Sequence, residues 1–337
     1  MRKVANRNAK ELEELFKETS AEDGRFNEAI VEKDFWVCVM LDHLFRHCQY
    51  KDSFTFKGGT SLSKAWNVID RFSEDIDLIL DWRVLGYDKD EPNKPRSSRH
   101  QQDRFNDEAN KKAAQFVGNE LIGVLRDEFA QWLGREHEFE IDADNPQTIL
   151  FHYPKIFRGD GLQQTIRLEI GPLAAWTPSR ERSVSPYAAE RYPQVFECGT
   201  TLVRTVSAER TFWEKATILH QIAHFPEGKR LPARYARHYY DIFCFCRSEF
   251  KQKALEQKEL LETVAEFKRK FYPSSGARYE FAKVGTLKLM PPAYIRGELK
   301  RDYDAMREMI YGACPEFDEI LDCVGGLEEE INALSLL

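Results

Sequence analysis

The segment that most constrains the fold is FKGGTSLSKAWNVIDRFSEDIDLIL, residues 56–80. From Asp75 to Leu80 the pattern predicts a strand. Side chains of a strand alternate faces, so Asp75 and Asp77 point one way while Ile76, Leu78 and Leu80 point the other. Two residues of rise separate the acidic positions by about 6.6 Å, which lets both carboxylates converge on one divalent ion or share a pair of them. Adjacent carboxylates repel each other, and a hard cation relieves that repulsion. Magnesium suits oxygen ligands and keeps coordination places for water and phosphate. A bare Asp-x-Asp, continued here by Asp81, is also what a solvated strand face looks like.

The residues ahead of the strand add a second element. The run Phe54-Thr55-Phe56 predicts a short strand that enters Lys57-Gly58-Gly59. Gly58 and Gly59 free the backbone to curl, and Thr60-Ser61 then begin a helix whose amide groups can hold a phosphate. Leu62, Ala65, Trp66 and Ile69 fall at i, i+3, i+4 and i+7, one face of that helix. The chain has no GxxxxGK[ST], so Lys64 is not a P-loop lysine. A glycine turn alone is an ordinary strand–helix connection; beside the Asp75/Asp77 edge it describes one site for phosphate and metal. In TIRLEIG (165–171), Ile166, Leu168 and Ile170 form an apolar face and Thr165, Arg167 and Glu169 a polar one. Glu169 on a neighbouring strand could activate an attacking hydroxyl or complete a second metal site, or simply pair with Arg167.

Other periodicities divide the chain. The first fifty residues look helical, with apolar positions at Leu12, Leu15, Phe16, Phe35, Val39 and Leu44. Residues 86–101 read as a polar loop, followed by a helix to about Trp132. Strands are expected near Thr148–Tyr153, Gln164–Ile170 and Thr200–Val206, and residues 177–193 read as a second loop. Ser207 is a plausible N-cap for a strong helix, and the chain beyond it is mainly helical. The expectation is an α+β protein with a mixed core over residues 1–205 and a helical domain over 206–337.

Composition narrows the class. The 337 residues are 42% hydrophobic and 31% charged, as in soluble globular proteins. No apolar run approaches a membrane span, and the amino terminus lacks the apolar stretch of a secretory signal. Seven cysteines without a repeated spacing argue against a disulfide framework and for the reducing cytoplasm. A net charge of −7 counts against coating nucleic acid by bulk charge and leaves room for a local basic patch.

In the helical half, Lys215 shares a face with Ala208, Thr211, Leu219 and Ile222. A lysine in such a stripe either snorkels to water or meets an anion such as a nucleotide phosphate. Arg237 and Asp241 stand at i, i+4, either as a surface ion pair or with Asp241 orienting Lys215 or Arg237 towards a triphosphate. Lys229, Arg230, Arg234 and Arg237 form the densest local basic cluster, which a solvated face explains equally well. His220 and His224 carry Gln221 where a zinc protease has glutamate, so they read as structural. Cys244 and Cys246 diverge on a helix and make a poor metal knuckle.

KGGTSLSKAWNVIDRFSEDIDLIL resembles the signature of the AbiEii/AbiGii-type toxin family of nucleotidyltransferases, from abortive-infection toxin–antitoxin systems. IVEKDFWVCVML, VSAERTFWEKATILHQ, RYARHYYDIF and LKRDYDAMREMIYG are similar to family segments in the same order. The resemblance implies a DNA polymerase β-like nucleotidyltransferase fold followed by a helical part. It implies transfer of a nucleoside monophosphate from a nucleoside triphosphate with magnesium, through a two-ion site. By position, Gly59 and Thr60 belong to the glycine motif, Asp75 and Asp77 to the metal motif, Lys215 to the nucleotide contact and Asp241 to the last acidic motif. The nucleotide-binding set is then Gly58, Gly59, Thr60, Ser61, Lys215 and Arg237. MenT-like relatives modify the 3′ end of tRNA, so the resemblance implies an RNA acceptor, tRNA first, and a cognate antitoxin. A protein acceptor, or a metal-dependent nuclease using the same carboxylates, is the alternative. Lys33 and Asp34 sit in a family-like segment, but the sequence gives them no physical role.

Overall fold

The computed structural model describes residues 1–158, 164–175 and 177–334. It divides into two compact units, Met1–Trp66 with Ser73–Val206, and Asn67–Phe72 with Ser207–Leu337. The boundary thus lies at Val206/Ser207, and the short segment 67–72 groups with the helical unit.

The first unit contains α1 (Arg2–Ala5), α2 (Ala9–Asp23), α3 (Glu28–Asp42), β1 (Phe54–Lys57), α4 (Gly58–Lys64), β2 (Ile76–Leu80), α5 (Arg99–Phe116) and α6 (Ile122–Leu133). It continues with β3 (Glu138–Ile141), β4 (Thr148–His152), β5 (Ile166–Gly171), β6 (Ser179–Val184), α7 (Tyr187–Arg191) and β7 (Thr201–Val206). The strands form one mixed sheet in the order β3-β4-β5-β2-β1-β7-β6. β2 runs parallel to β5 and antiparallel to β1, so it sits near the middle of the sheet. Its apolar face, Ile76, Leu78 and Leu80, is fully buried, and each such side chain contributes roughly 1.5–3 kcal/mol relative to exposure. A one-residue slip of this central strand would turn Asp77 into the apolar core, which holds the register.

α3 is buried almost all round, from Val31 to Asp42, because it touches α2, α7, β5 and β7. It is capped by Asn27, whose side chain accepts the N–H of Ile30 at 2.9 Å. Three consecutive charged residues, Glu32, Lys33 and Asp34, are buried with it.

Several boundaries differ from the sequence expectation. α4 stops at Lys64 and does not continue to Ile69, because Asn67 adopts a left-handed backbone with φ of 52°. The helix expected to run to Trp132 is interrupted by a π turn at Val117–Leu121, which separates α5 from α6. Residues 177–193, read as a loop, contain β6 and α7. β6 is the edge strand, and its sequence SRERSV is polar because its side chains are largely exposed. β3 carries no burial pattern in its sequence for the same reason, being the opposite edge with Glu138 and Glu140 exposed.

The second unit holds α8 (Ala208–Ala223), α9 (Ala236–Cys246), α10 (Phe250–Leu255), α11 (Glu259–Phe271), α12 (Ala293–Met306) and α13 (Phe317–Ala333). Ser207 caps α8, its hydroxyl accepting the N–H of Arg210 at 3.2 Å. α8 packs on α9, α10 and α11, and α9 also packs on α12 and α13. No helix of the described residues is long and apolar enough to cross a membrane.

Candidate active site

The first unit brings Gly58, Gly59, Thr60, Ser61, Asp75, Asp77 and Glu169 together. Asp77 and Glu169 are register partners on the parallel strands β2 and β5, so both side chains leave the sheet on one face. On the other flank Asp77 is paired in register with Lys57 of β1, and beyond Glu169 lies Thr148 of β4. The row Lys57, Asp77, Glu169, Thr148 therefore crosses four strands. The signal for Glu169 was its alternation within β5. Lys57 and Thr148 were missed because strand order is not readable from a single sequence.

Asp75 stands one residue ahead of β2, close enough to Glu169 and Asp77 for their charges to act on its carboxyl. Its backbone carbonyl accepts the Thr60 hydroxyl at 2.6 Å, which ties the glycine turn to the acidic edge. The Ser61 hydroxyl donates to the Gly58 carbonyl at 2.8 Å. Both hydroxyls are thus engaged in holding the turn, and α4 is only seven residues long. What the turn offers an anion is backbone. Gly58 has φ of +81°, and a Cβ built on it would fall 1.8 Å from Oδ2 of Asp77. Glycine is required there for conformation and for space.

The carboxylates of this edge act strongly on one another. Burial pushes the Asp75 carboxyl up to about 6, and the negative charges of Glu169, Asp77 and Glu74 push the same way, with Lys33 opposing. Oδ1 of Asp75 is buried without a hydrogen-bond partner among the described residues. A buried carboxylate oxygen without a donor is costly. Oxygen ligands, mutual repulsion and an orphaned oxygen all fit a hard divalent ion held by Asp75 and Asp77, with Glu169 beside them. Glu169 is not fully available: Nε of Arg167 lies 3.5 Å from its Oε1, while the other end of Arg167 pairs with Asp142 at 2.5 Å. A separate group, Glu138, Glu140 and His152, places ligand atoms within 4.8 Å of one another at the β3 edge. It is largely exposed, and His152 already meets Glu140 at 2.9 Å.

In the second unit, Lys215 and Asp241 are brought together. Nζ of Lys215 donates to Oδ2 of Asp241 at 2.7 Å, and Arg71 donates to both carboxylate oxygens at 2.7 and 2.9 Å. The arginine partner of Asp241 is therefore Arg71 rather than the expected Arg237, which lies exposed one turn away on α9 while Asp241 is fully buried. Burial alone would raise the Asp241 carboxyl, but Arg71 and Lys215 outweigh it and hold it well below the usual carboxylate range. Burial pushes the Lys215 amine down, against the pull of Asp241. Arg71 was missed because its partner lies 170 residues along the chain. His220 is held by backbone on both ring nitrogens, through the Arg278 carbonyl and the Lys288 N–H, as a structural residue is.

Among solved structures the chain is similar to a proposed nucleotidyltransferase from H. pylori, with 14% identity and a TM-score of 0.45, over 92% of this chain and 97% of that one. It is also similar to MenT4, a nucleotidyltransferase toxin of Mycobacterium tuberculosis H37Rv, with 15% identity and a TM-score of 0.45, over 96% and 98%. JHP933 from Helicobacter pylori follows at 13% identity and a TM-score of 0.42, over 89% and 91%. No curated protein matches the chain. Residues 40–323 match the family described as nucleotidyl transferase AbiEii toxin, Type IV TA system. That span covers well over half of the sequence, so the chain belongs to the AbiEii family of nucleotidyltransferase toxins.

Proposed function

We propose that this chain transfers a nucleoside monophosphate from a nucleoside triphosphate to a hydroxyl of an RNA acceptor, the 3′ end of tRNA. The observation that carries the chemistry is the in-register pairing of Asp77 with Glu169 beside Asp75, whose buried Oδ1 has no hydrogen-bond partner among the described residues. Family membership supports the reaction class. The choice of tRNA rests on the resemblance to MenT-like relatives.

In this reading Asp75 and Asp77 would hold magnesium. The bound ions would neutralise charge on the triphosphate and on the leaving pyrophosphate. Glu169 accepts the proton of the acceptor hydroxyl. The hydroxyl oxygen bonds to the α-phosphorus in line, the bond from that phosphorus to the bridging oxygen breaks, and pyrophosphate departs with the electron pair. The Gly58–Ser61 turn orients the nucleotide from beside Asp77. Lys215 and Arg237 are the further nucleotide-contacting residues expected from the family resemblance and the sequence pattern; within its own unit Nζ of Lys215 is held by Asp241.

The test is incubation with total bacterial RNA, magnesium and each α-labelled nucleoside triphosphate in turn. Label on tRNA-sized RNA supports the proposal and identifies the donor. Label on a protein band instead replaces the acceptor. RNA shortened without any label overturns transfer in favour of a nuclease.

A further inference from the structure

Asp75 has a positional problem that Asp77 does not share. The β2–β5 ladder begins at Ile76, so Asp75 lies outside the hydrogen-bonded strand and its placement depends on what flanks it. One anchor is the Thr60 hydroxyl on its carbonyl. The other comes through the preceding residue: Nζ of Lys33, fully buried on α3, donates to Oε2 of Glu74 at 2.6 Å, and Glu74 is itself 5% exposed. We infer that Lys33 is a positioning residue for the metal-binding edge, fixing Asp75 by holding the Glu74 carboxylate against α3. This rests on the reading of Asp75 and Asp77 as metal ligands.

Folding alone gives a weak account of this pair. A buried ion pair is commonly no better for stability than apolar side chains of the same volume. Here it is built into a helix otherwise packed with Phe35, Trp36, Val37 and Val39, where apolar residues would be the simple choice. The neighbouring charges are placed the same way. Asp34 accepts the Tyr187 N–H at 2.7 Å and pairs at 2.8 Å with Lys64, on the last turn of the glycine-motif helix. Glu32 accepts the N–H groups of Ile156 and Phe157 at 2.7 and 3.0 Å. Two of these three consecutive residues on one rigid helix thus grip the elements that flank the site, Lys33 the approach to β2 and Asp34 the end of α4. Groups that hold a ligand from behind ordinarily change metal affinity by tenfold to a hundredfold when removed.

The experiment measures Mn2+ binding by electron paramagnetic resonance on the whole chain without nucleotide. Lys33→Met alone strands a buried carboxylate and can unfold the protein, so the decisive variant is Lys33→Met with Glu74→Gln, checked for fold by circular dichroism. The double variant is expected to bind Mn2+ at least about tenfold more weakly than the native chain. Lys33→Arg, which keeps a cation, is expected to restore most of the affinity. Native affinity in the folded double variant, with binding lost in Asp75→Asn, overturns the positioning role and leaves the metal reading intact. Absence of Mn2+ binding by the native chain overturns both.

Discussion

Gly58 and Asp77 share one small space: the position a Cβ would take on Gly58 is already filled by the Asp77 carboxylate, 1.8 Å away at Oδ2. The glycine turn and the acidic strand are thus one construction, and no side chain fits at Gly58 while the Asp77 carboxylate stays in place.

Gly58→Ala is expected to displace the Asp77 carboxylate and to lower transfer by about a hundredfold, the usual consequence of shifting a reacting group by about an ångström. Gly86 is the control. Its φ of +80° carries the same backbone strain, about 1–2 kcal/mol for alanine, but nothing lies within 4 Å of its Cβ position. Gly86→Ala should lose comparable stability in urea titration and keep its transfer rate. Equal activity in the two variants would contradict the steric argument.

Asp241→Asn removes the anion that both Arg71 and Lys215 face in a buried setting. Leaving those cations uncompensated should cost about 3–5 kcal/mol in denaturant unfolding. The pH dependence has a definite sign. The folded carboxyl titrates below its unfolded value, so its contribution is present above the ordinary carboxylate range and is lost as pH falls through and below it. The native-minus-variant stability difference should therefore shrink on acidification below about pH 4. A difference that stays constant with pH would show that the Asp241 charge is not what matters.

Glu32 gives the opposite sign. Burial pushes its carboxyl up to about 7, against the donated N–H groups of Phe157 and Ile156. A folded state that holds a proton more tightly than the unfolded chain loses that advantage as pH rises from about 4.5 towards 7. Glu32→Gln lacks this titration, so its stability relative to the native chain should improve across that interval. Chemical denaturation at pH 5 and pH 8 checks it, and a parallel pair of curves would contradict it.

The site's central part was legible because its signals are local. Alternation put Asp75 and Asp77 on one face, the same rule exposed Glu169, and Ser207 read as a cap from its neighbours. The two strands read as loop or overlooked, β3 and β6, are edges whose polar residues carry no burial pattern. The buried charges of α3 were illegible in principle. Lys33 meets Glu74 across 41 residues, and Asp34 meets the Tyr187 backbone across 153, so no window of sequence contains both partners. Arg71 is 170 residues from Asp241, whereas Arg237 stands at i, i+4 from it, so local spacing points to Arg237 alone.

The central claim is nucleotidyl rather than phosphoryl transfer at the Asp75/Asp77 edge. The most direct measurement supplies the acceptor RNA with the preferred triphosphate labelled either at the α- or at the γ-phosphate, using the native chain and folded Asp77→Asn. The account predicts that RNA takes up the α-label only, that the γ-label leaves in pyrophosphate, and that Asp77→Asn does neither. Label reaching RNA from the γ-position, or full α-labelling by folded Asp77→Asn, would contradict it.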